Sequence, residues 1–247
     1  MDHRVNVPHV VTATVPALPT PPAELFGAAP QAELTRAAHD GLALDLLAFN
    51  ALEVRAAPRR VPDTGTLRVA AWNAERLKHA APSADLVRAV GPDVLLLSEA
   101  DIGMARSGNR HTVADLAAAL DMGYAYGVEF LELGIGDERE SEWHRGERND
   151  VGFHGNAVLS RLPFSNVALI RLDDGAVWWI DAREGQRRLG FRMAVAPRSK
   201  PVPARCLPFP FTSRASRTQP TVPRRYAGSS KRWTDSIQAL RRSSAAI

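Results

Sequence analysis

From residue 67 to about residue 196, apolar runs of strand length alternate with stretches of helical period, and beyond residue 196 the alternation stops. Such a chain has the makings of a layered α/β domain in its middle and no pattern for a packed core at its end. LRVAAW at 67–72 reads as a strand. Ser83 suits the N-cap of a helix over 84–90, Gly91-Pro92 stops it, and DVLLLS at 93–98 follows as a buried strand. Thr112 with Asp115 forms a capping pattern for a helix to Leu120, ended by Met122-Gly123 before an apolar run at 124–133. Runs at 157–160, 167–172, 177–180 and 189–196 read as short strands, and the Glu-, Arg- and Gly-rich segment 134–155 as a long, solvated, mobile loop.

This divides the chain into three parts. Residues 1–65 form an Ala/Pro/Leu-rich N-terminal extension in which GLALDLLAFNALEVR (41–55) suits a helix, closed off by Pro58, Pro62 and an Asp63-Thr64-Gly65 turn. Residues 66–196 are the α/β domain. Residues 197–247 are an Arg/Pro/Ser-rich tail whose prolines interrupt every strand-like run. It is expected to be poorly ordered, apart from a short helix at 234–242.

The net charge of +4 conceals a polarity between these parts. Residues 192–247 hold ten Arg and two Lys against one acidic residue, Asp235, for +11, which leaves the first 191 residues at −7. At 247 residues and 45% hydrophobic content there is material for one sizeable core. No run approaches the length of a membrane span, and prolines break the N-terminal segment where a signal peptide needs a continuous apolar stretch, so a soluble cytoplasmic protein is expected. The single cysteine, Cys206, excludes an intrachain disulfide and a cysteine-rich zinc site.

Two polar residues close apolar strands, Asn73 after LRVAAW and Glu99 after DVLLLS. Strand ends in α/β folds present side chains to clefts, and a carboxylate there suits a hard cation such as Mg²⁺, which takes one or two carboxylates and keeps its waters. The same placement also suits residues that merely begin turns.

WNAER (72–76), LLLSEAD (95–101) and GNAVLSRLPF (155–164), with RSGNRHTVADLAAALDMGYAYG (106–127) between the last two, resemble successive motifs of the endonuclease/exonuclease/phosphatase superfamily. The resemblance covers residues 67–196. It implies the N-terminal portion of a two-sheet α/β sandwich followed by a disordered basic tail, a divalent cation (Mg²⁺ or Mn²⁺), and attack of water on a phosphoester. By the same resemblance Asn73 and Glu99 belong to the catalytic and metal-binding network. Asn156 lies near the cleft as a substrate contact or as a turn residue, and His154 and Arg106 contact substrate phosphate or are simply solvated. The substrate class, whether nucleic acid, lipid or sugar phosphate, and the oligomeric state are left open.

The family's second-half motifs, a His-bearing strand, an Asp-x-Asn and a terminal Asp-His, are not found: no histidine follows His154, and Asp235 precedes Ser236. This predicts an inactive or nearly inactive chain, with apolar sheet surface left exposed. A reading-frame change near Pro197 would explain the missing motifs, the lost periodicity and the charge jump together. Shifting each codon one nucleotide earlier turns Phe211-Thr212 into a codon for His or Tyr, within a window able to spell Val-Ser-Val-His-Leu-Glu-Ser, similar to the family's His-bearing strand. The coding DNA is expected to carry an open family-like continuation in that frame. The alternative takes the tail as a non-enzymatic nucleic-acid-binding arm, which predicts salt-sensitive binding lost on truncation at Ala196.

Overall fold

The computed structural model describes residues 8–58, 67–182 and 186–199. Among them, strands β1 (Val10–Val11), β2 (Thr14–Val15), β3 (Leu52–Arg55), β4 (Val69–Arg76), β5 (Val94–Ile102), β6 (Gly123–Glu132), β7 (Phe153–Ser160), β8 (Phe164–Arg171), β9 (Arg188–Gly190) and β10 (Met193–Ser199) form two sheets. The larger runs β2-β3-β6-β7-β5-β4, with β9 added beside β6, and the smaller runs β1-β8-β10. The large sheet is mixed: β2 is parallel to β3 and β4 to β5, while the pairs between β3, β6, β7 and β5 are antiparallel. An α/β fold with a mixed, open sheet is therefore present.

Helices α1 (Ala23–Ala28), α2 (Arg36–Asp45), α3 (Ala80–Val90), α4 (Thr112–Leu120), α5 (Glu138–Trp143) and α6 (Val177–Ile180) complete the described elements, with short 3-10 turns at Ala29–Gln31, Leu47–Asn50 and Ala105–Ser107. In α4 the buried residues Val113, Leu116, Ala117 and Leu120 recur at helical spacing, and they join a core with Leu95 and Leu97 of β5 and Tyr124 and Tyr126 of β6. The opposite face of the large sheet meets the small one through Leu52, Ala125, Val167, Leu169 and Met193. No described helix is long and apolar enough to cross a membrane.

Several elements differ from the sequence expectation. The 41–55 segment is not one helix: α2 ends at Asp45, a 3-10 turn follows, and Leu52–Arg55 is strand β3. Here tertiary contacts override helical propensity, since Arg171 donates to the Phe49 carbonyl (2.8 Å) and to Asn50 Oδ1 (3.1 Å). The segment read as an extension thus contributes strands to both sheets. The apolar run 177–180 is helix α6, entered through left-handed backbone at Gly175 and Ala176, with Trp179 fully buried and its indole donating to the Glu33 carbonyl (2.9 Å). A four-residue apolar run carries no period that could separate the two readings.

The 189–196 run is split between β9 and β10, which belong to different sheets. Strand β10 continues through Pro197, opposite Val167, to Ser199. It lies at a sheet edge, where a missing backbone N–H is tolerated. The caps also move. His111, not Thr112, caps α4 by accepting from the Ala114 N–H (3.1 Å), and Ser83 lies inside the first turn of α3, which is capped at His79. The 134–155 loop contains α5, held by a reciprocal capping box between Asp137 and Glu140. The expectations for residues 200–247, including the helix at 234–242, lie outside the described residues.

The register shows which part of the large sheet the small sheet leaves bare. Ala125 faces the small sheet and pairs with Val158; Val158 pairs with Leu96, and Leu96 with Ala71. Side chains alternate along a strand, so Val69, Ala71, Asn73 and Leu96 all lie on the inter-sheet face. Val69 and Leu96 are nonetheless 55% and 41% exposed. This matches the expectation of uncovered apolar sheet. Replacing both with threonine is expected to reduce self-association, measured by sedimentation at matched concentration, with stability changed by no more than about 0.5 kcal/mol.

Gly155, which opens the GNAVLSR motif, lies on β7 between β5 and β6. A Cβ there would collide with the backbone carbonyl of Gly127 on β6, which cannot move without breaking the ladder. Gly155→Ala is expected to destabilise the fold by about 1–3 kcal/mol, read as a lowered urea midpoint at unchanged slope.

Candidate functional site

Asn73 and Glu99 do not close their strands; each stands where a ladder is interrupted. The β4–β5 register shifts between Asn73 and Arg76, and the β5–β7 register between Leu97 and Ala100. Three consecutive residues after Asn73 and Ala74, namely Glu75, Arg76 and Leu77, have positive φ, as does Glu99 at 59°. Left-handed backbone costs a non-glycine residue on the order of 1 kcal/mol. Strained bulges of this kind aim side chains out of a sheet and recur beside active sites.

Three of the residues singled out in the sequence meet here. Asn73 Nδ2 donates to Glu99 Oε1 at 2.7 Å, while Asn73 Oδ1 accepts from the Glu75 N–H at 3.2 Å. The Glu99 N–H, freed by the bulge, points to Asn156 Oδ1 at 3.4 Å, and Asn156 Nδ2 donates to the Met193 carbonyl at 3.1 Å. The chain of amides runs from the edge strand β4 through β5 and β7 to β10, so it ties both sheets to the bulge. Glu99 is left with Oε2 unengaged by any hydrogen bond among the described residues.

His154 and Arg106, read as residues of polar loops, are buried, at 5% and 4% exposure. Arg106 grips Asp101 with two bonds, Nε to Oδ2 at 2.9 Å and Nη2 to Oδ1 at 3.0 Å, and reaches Glu140 Oε2 at 3.2 Å. Its fork is thus directed to protein carboxylates. His154 Nδ1 lies 2.6 Å from Asp101 Oδ1, and its ring stacks on Phe130 with centroids 4.6 Å apart. Burial pushes the Asp101 carboxyl up, but His154 and Arg106 outweigh it and hold the group below its ordinary value. Burial likewise opposes the charge on Arg106, and Asp101, Glu140 and Glu132 overcome it to raise its pKa.

Both clusters border one open cleft of about 470 Å³, whose walls include Glu99, Asn156 and His154. Residues not anticipated from the sequence give it a cationic rim. Arg188 lies 4.5 Å over the Phe130 ring while bonding Glu132 (2.7 Å), and Arg192 lies 4.6 Å over Trp178. Arg76 also borders it, with Nε 3.0 Å from Glu140 Oε1 but not aligned for a hydrogen bond. Stacked guanidinium groups are pre-oriented for phosphate. Glu129, on the same wall, has its pKa raised by burial, which Arg192 only partly offsets. Asp101 was legible in principle, two residues beyond Glu99 in LLLSEAD; the arginines of the 187–192 run had no local pattern to distinguish them.

Among the described residues there is no group of three or more His, Cys, Asp or Glu able to hold a metal ion. A lone carboxylate with one open oxygen still suits a hard cation that retains most of its water, so Glu99 fits Mg²⁺ or Mn²⁺ as a weak, water-rich site. Asn73 fits as the group that orients Glu99, because its amide is already engaged on both sides.

No protein-family model matches the chain, and no curated protein matches it. A solved structure, an endonuclease/exonuclease/phosphatase from Beutenbergia cavernae DSM 12333, matches in part: 22% identity over 53% of this chain, with a TM-score of 0.34. The match spans 37% of that protein's length. A likeness this partial does not establish a shared activity.

Proposed function

We propose that this cleft binds phosphoesters and hydrolyses them with the aid of a divalent cation, Mg²⁺ or Mn²⁺. The reading is carried by the Asn73–Glu99–Asn156 chain, which presents one open carboxylate oxygen from a doubly bulged sheet into an arginine-rimmed cleft. A metal ligand held by an oriented amide, beside cations for the phosphate oxygens, meets two needs of phosphoryl transfer: positioning and charge stabilisation.

In this mechanism Glu99 would hold the cation, with Asn73 fixing the rotamer of Glu99, and the cation would supply positive charge against the phosphate. Asn156 sets the bulge through the Glu99 N–H, so that its truncation acts by misaiming the carboxylate. Arg188 and Arg192 neutralise the phosphate, while Arg106 anchors the wall and does not reach the substrate. Turnover is slow, because the inter-sheet face beside Asn73 is open to water, and water screens every charge in the site. The amino-acid side chains of the cleft select phosphoester over other esters by charge; they do not select among nucleic acid, lipid and sugar phosphate.

The test is hydrolysis of a panel of phosphomonoesters and phosphodiesters with Mg²⁺ or Mn²⁺. Slow turnover that chelation abolishes and that Glu99→Gln lowers on the order of a hundredfold is expected; chelator-insensitive turnover unaffected by Glu99→Gln would overturn the reading. The alternative of a nucleic-acid-binding arm concerns residues outside the described structure.

A further inference from the structure

We infer that His154 is the proton acceptor of this cleft, oriented by Asp101 to take a proton from the attacking water. The inference rests on the hydrolase reading above and adds to it the group that activates the nucleophile.

The ring is fixed on one side. Nδ1 lies 2.6 Å from Asp101 Oδ1, and Arg106 Nη2 lies 3.3 Å from the same nitrogen. Nδ1 cannot both donate to Asp101 and accept from Arg106. The shorter contact and the carboxylate decide for donation, and Arg106 Nη2 has Asp101 Oδ1 and Met104 Sδ as its own acceptors. The neutral ring therefore carries its proton on Nδ1 and a lone pair on Nε2. Stacking on Phe130 removes the remaining freedom of the ring.

Nε2 is the informative atom. It makes no hydrogen bond among the described residues, although the side chain is only 7% exposed. Among the described residues Nε2 is not one of the sealed polar atoms without partners, which are Arg76 Nε and Glu132 Oε1, and the His154 side chain lines the cleft together with Glu99 and Asn156. A histidine kept for packing has both nitrogens satisfied, as His39 does here between Asp40 (2.8 Å) and the Gly190 carbonyl (3.1 Å). A carboxylate behind one nitrogen with the other open to a reaction site is the arrangement of a general base. The charged groups around the ring are Asp101 on β5, Arg106 on the turn after it, Glu129 on β6 and Arg188 on β9, with Glu132 and Glu140 reached through Arg106.

In the step assigned, the oxygen of water bonds to phosphorus as its proton passes to Nε2. The ester P–O bond breaks, its electron pair leaves with the departing oxygen, and that oxygen takes a proton from solvent. Asp101 is a positioning residue: it holds the tautomer and steadies the imidazolium while the ring carries the extra proton.

Two measurements on the full chain decide the matter. In ring-¹⁵N spectra, assigned with His154→Gln, the neutral His154 ring is expected to keep its proton on Nδ1, and inorganic phosphate is expected to shift the Nε2 resonance. A proton on Nε2 would overturn the proposal even if the variant failed to fold. In hydrolysis of bis(p-nitrophenyl) phosphate with Mn²⁺, His154→Gln is expected to lower kcat by about 10²–10⁴-fold with KM little changed, and to lose the acid limb of the pH profile. Retention of that limb overturns the assignment. Complete absence of turnover, with Glu99-dependent cation binding intact, overturns the base and spares the binding site. Loss of the Glu99 dependence overturns the hydrolase reading itself.

Discussion

Arg106→Ala is expected to destabilise the protein by about 3–5 kcal/mol, enough to unfold much of the population at ambient temperature. Three carboxylates surround this guanidinium: Asp101 and Glu132 are fully buried, and Glu140 is 3% exposed. Asp101 accepts two of its bonds, Glu140 one, and Glu132 Oε2 lies 3.9 Å from Nη1. Glu132 keeps Arg188 (2.7 Å) and Glu140 keeps Arg76 (3.0 Å) and Lys78 (3.4 Å), but truncation leaves the fully buried Asp101 with His154 in place of a guanidinium, which is far costlier than losing an exposed ion pair. The pH dependence follows in sign. The Asp101 carboxyl is depressed in the folded state from its ordinary 3.8, so its contribution is full above that value and is lost as pH falls through the lower folded one. Without Arg106 the depression shrinks, and the acid midpoint should move upward. Urea titration of wild type and variant between neutral and strongly acidic pH measures both effects, and a change below about 1 kcal/mol would contradict the network as drawn.

Glu99→Gln is expected to leave the fold intact while weakening divalent-cation affinity at least about tenfold and turnover on the order of a hundredfold. Glutamine retains an acceptor for Asn73 Nδ2 and the same length, so the bulge keeps its clamps. What disappears is the charge of the one oriented carboxylate. Glu99→Gly separates the two roles further. The backbone at this position has φ of 59°, which glycine adopts without strain, so the glycine variant should be more stable by up to about 1 kcal/mol and yet inactive. A stabilising substitution that removes function marks strain retained for aiming a side chain. Thermal unfolding alongside cation titration reads both, and equal loss of stability and function would point instead to a structural carboxylate.

The sequence was informative where one local pattern settled one structure. The strands LRVAAW and DVLLLS, the stop at Gly91 and the helix ending at Leu120 all carried through. It was uninformative where distant contacts decided. Nothing local in VWWI distinguishes a strand from the helix anchored by Trp179 on Glu33, and the helical look of 41–55 gave no sign of the Arg171 contacts that end it. The site divided in the same way. Asn73 and Glu99 were visible as polar residues after apolar runs, although the structure makes them bulges and not strand ends. Arg106 and His154 looked solvated because their partner, Asp101, lies across a turn and a strand pair; only the Asp101–His154 register brings them together.

The central claim is that Glu99 makes the cleft a divalent-cation site for a phosphate group. Titration of Mn²⁺ into the full chain, followed by electron paramagnetic resonance of the free ion, tests it most directly. One site is expected on the wild type, tightened by phenylphosphonate and weakened at least about tenfold in Glu99→Gln. Identical binding curves for the two proteins, or no effect of phenylphosphonate on either, would contradict it.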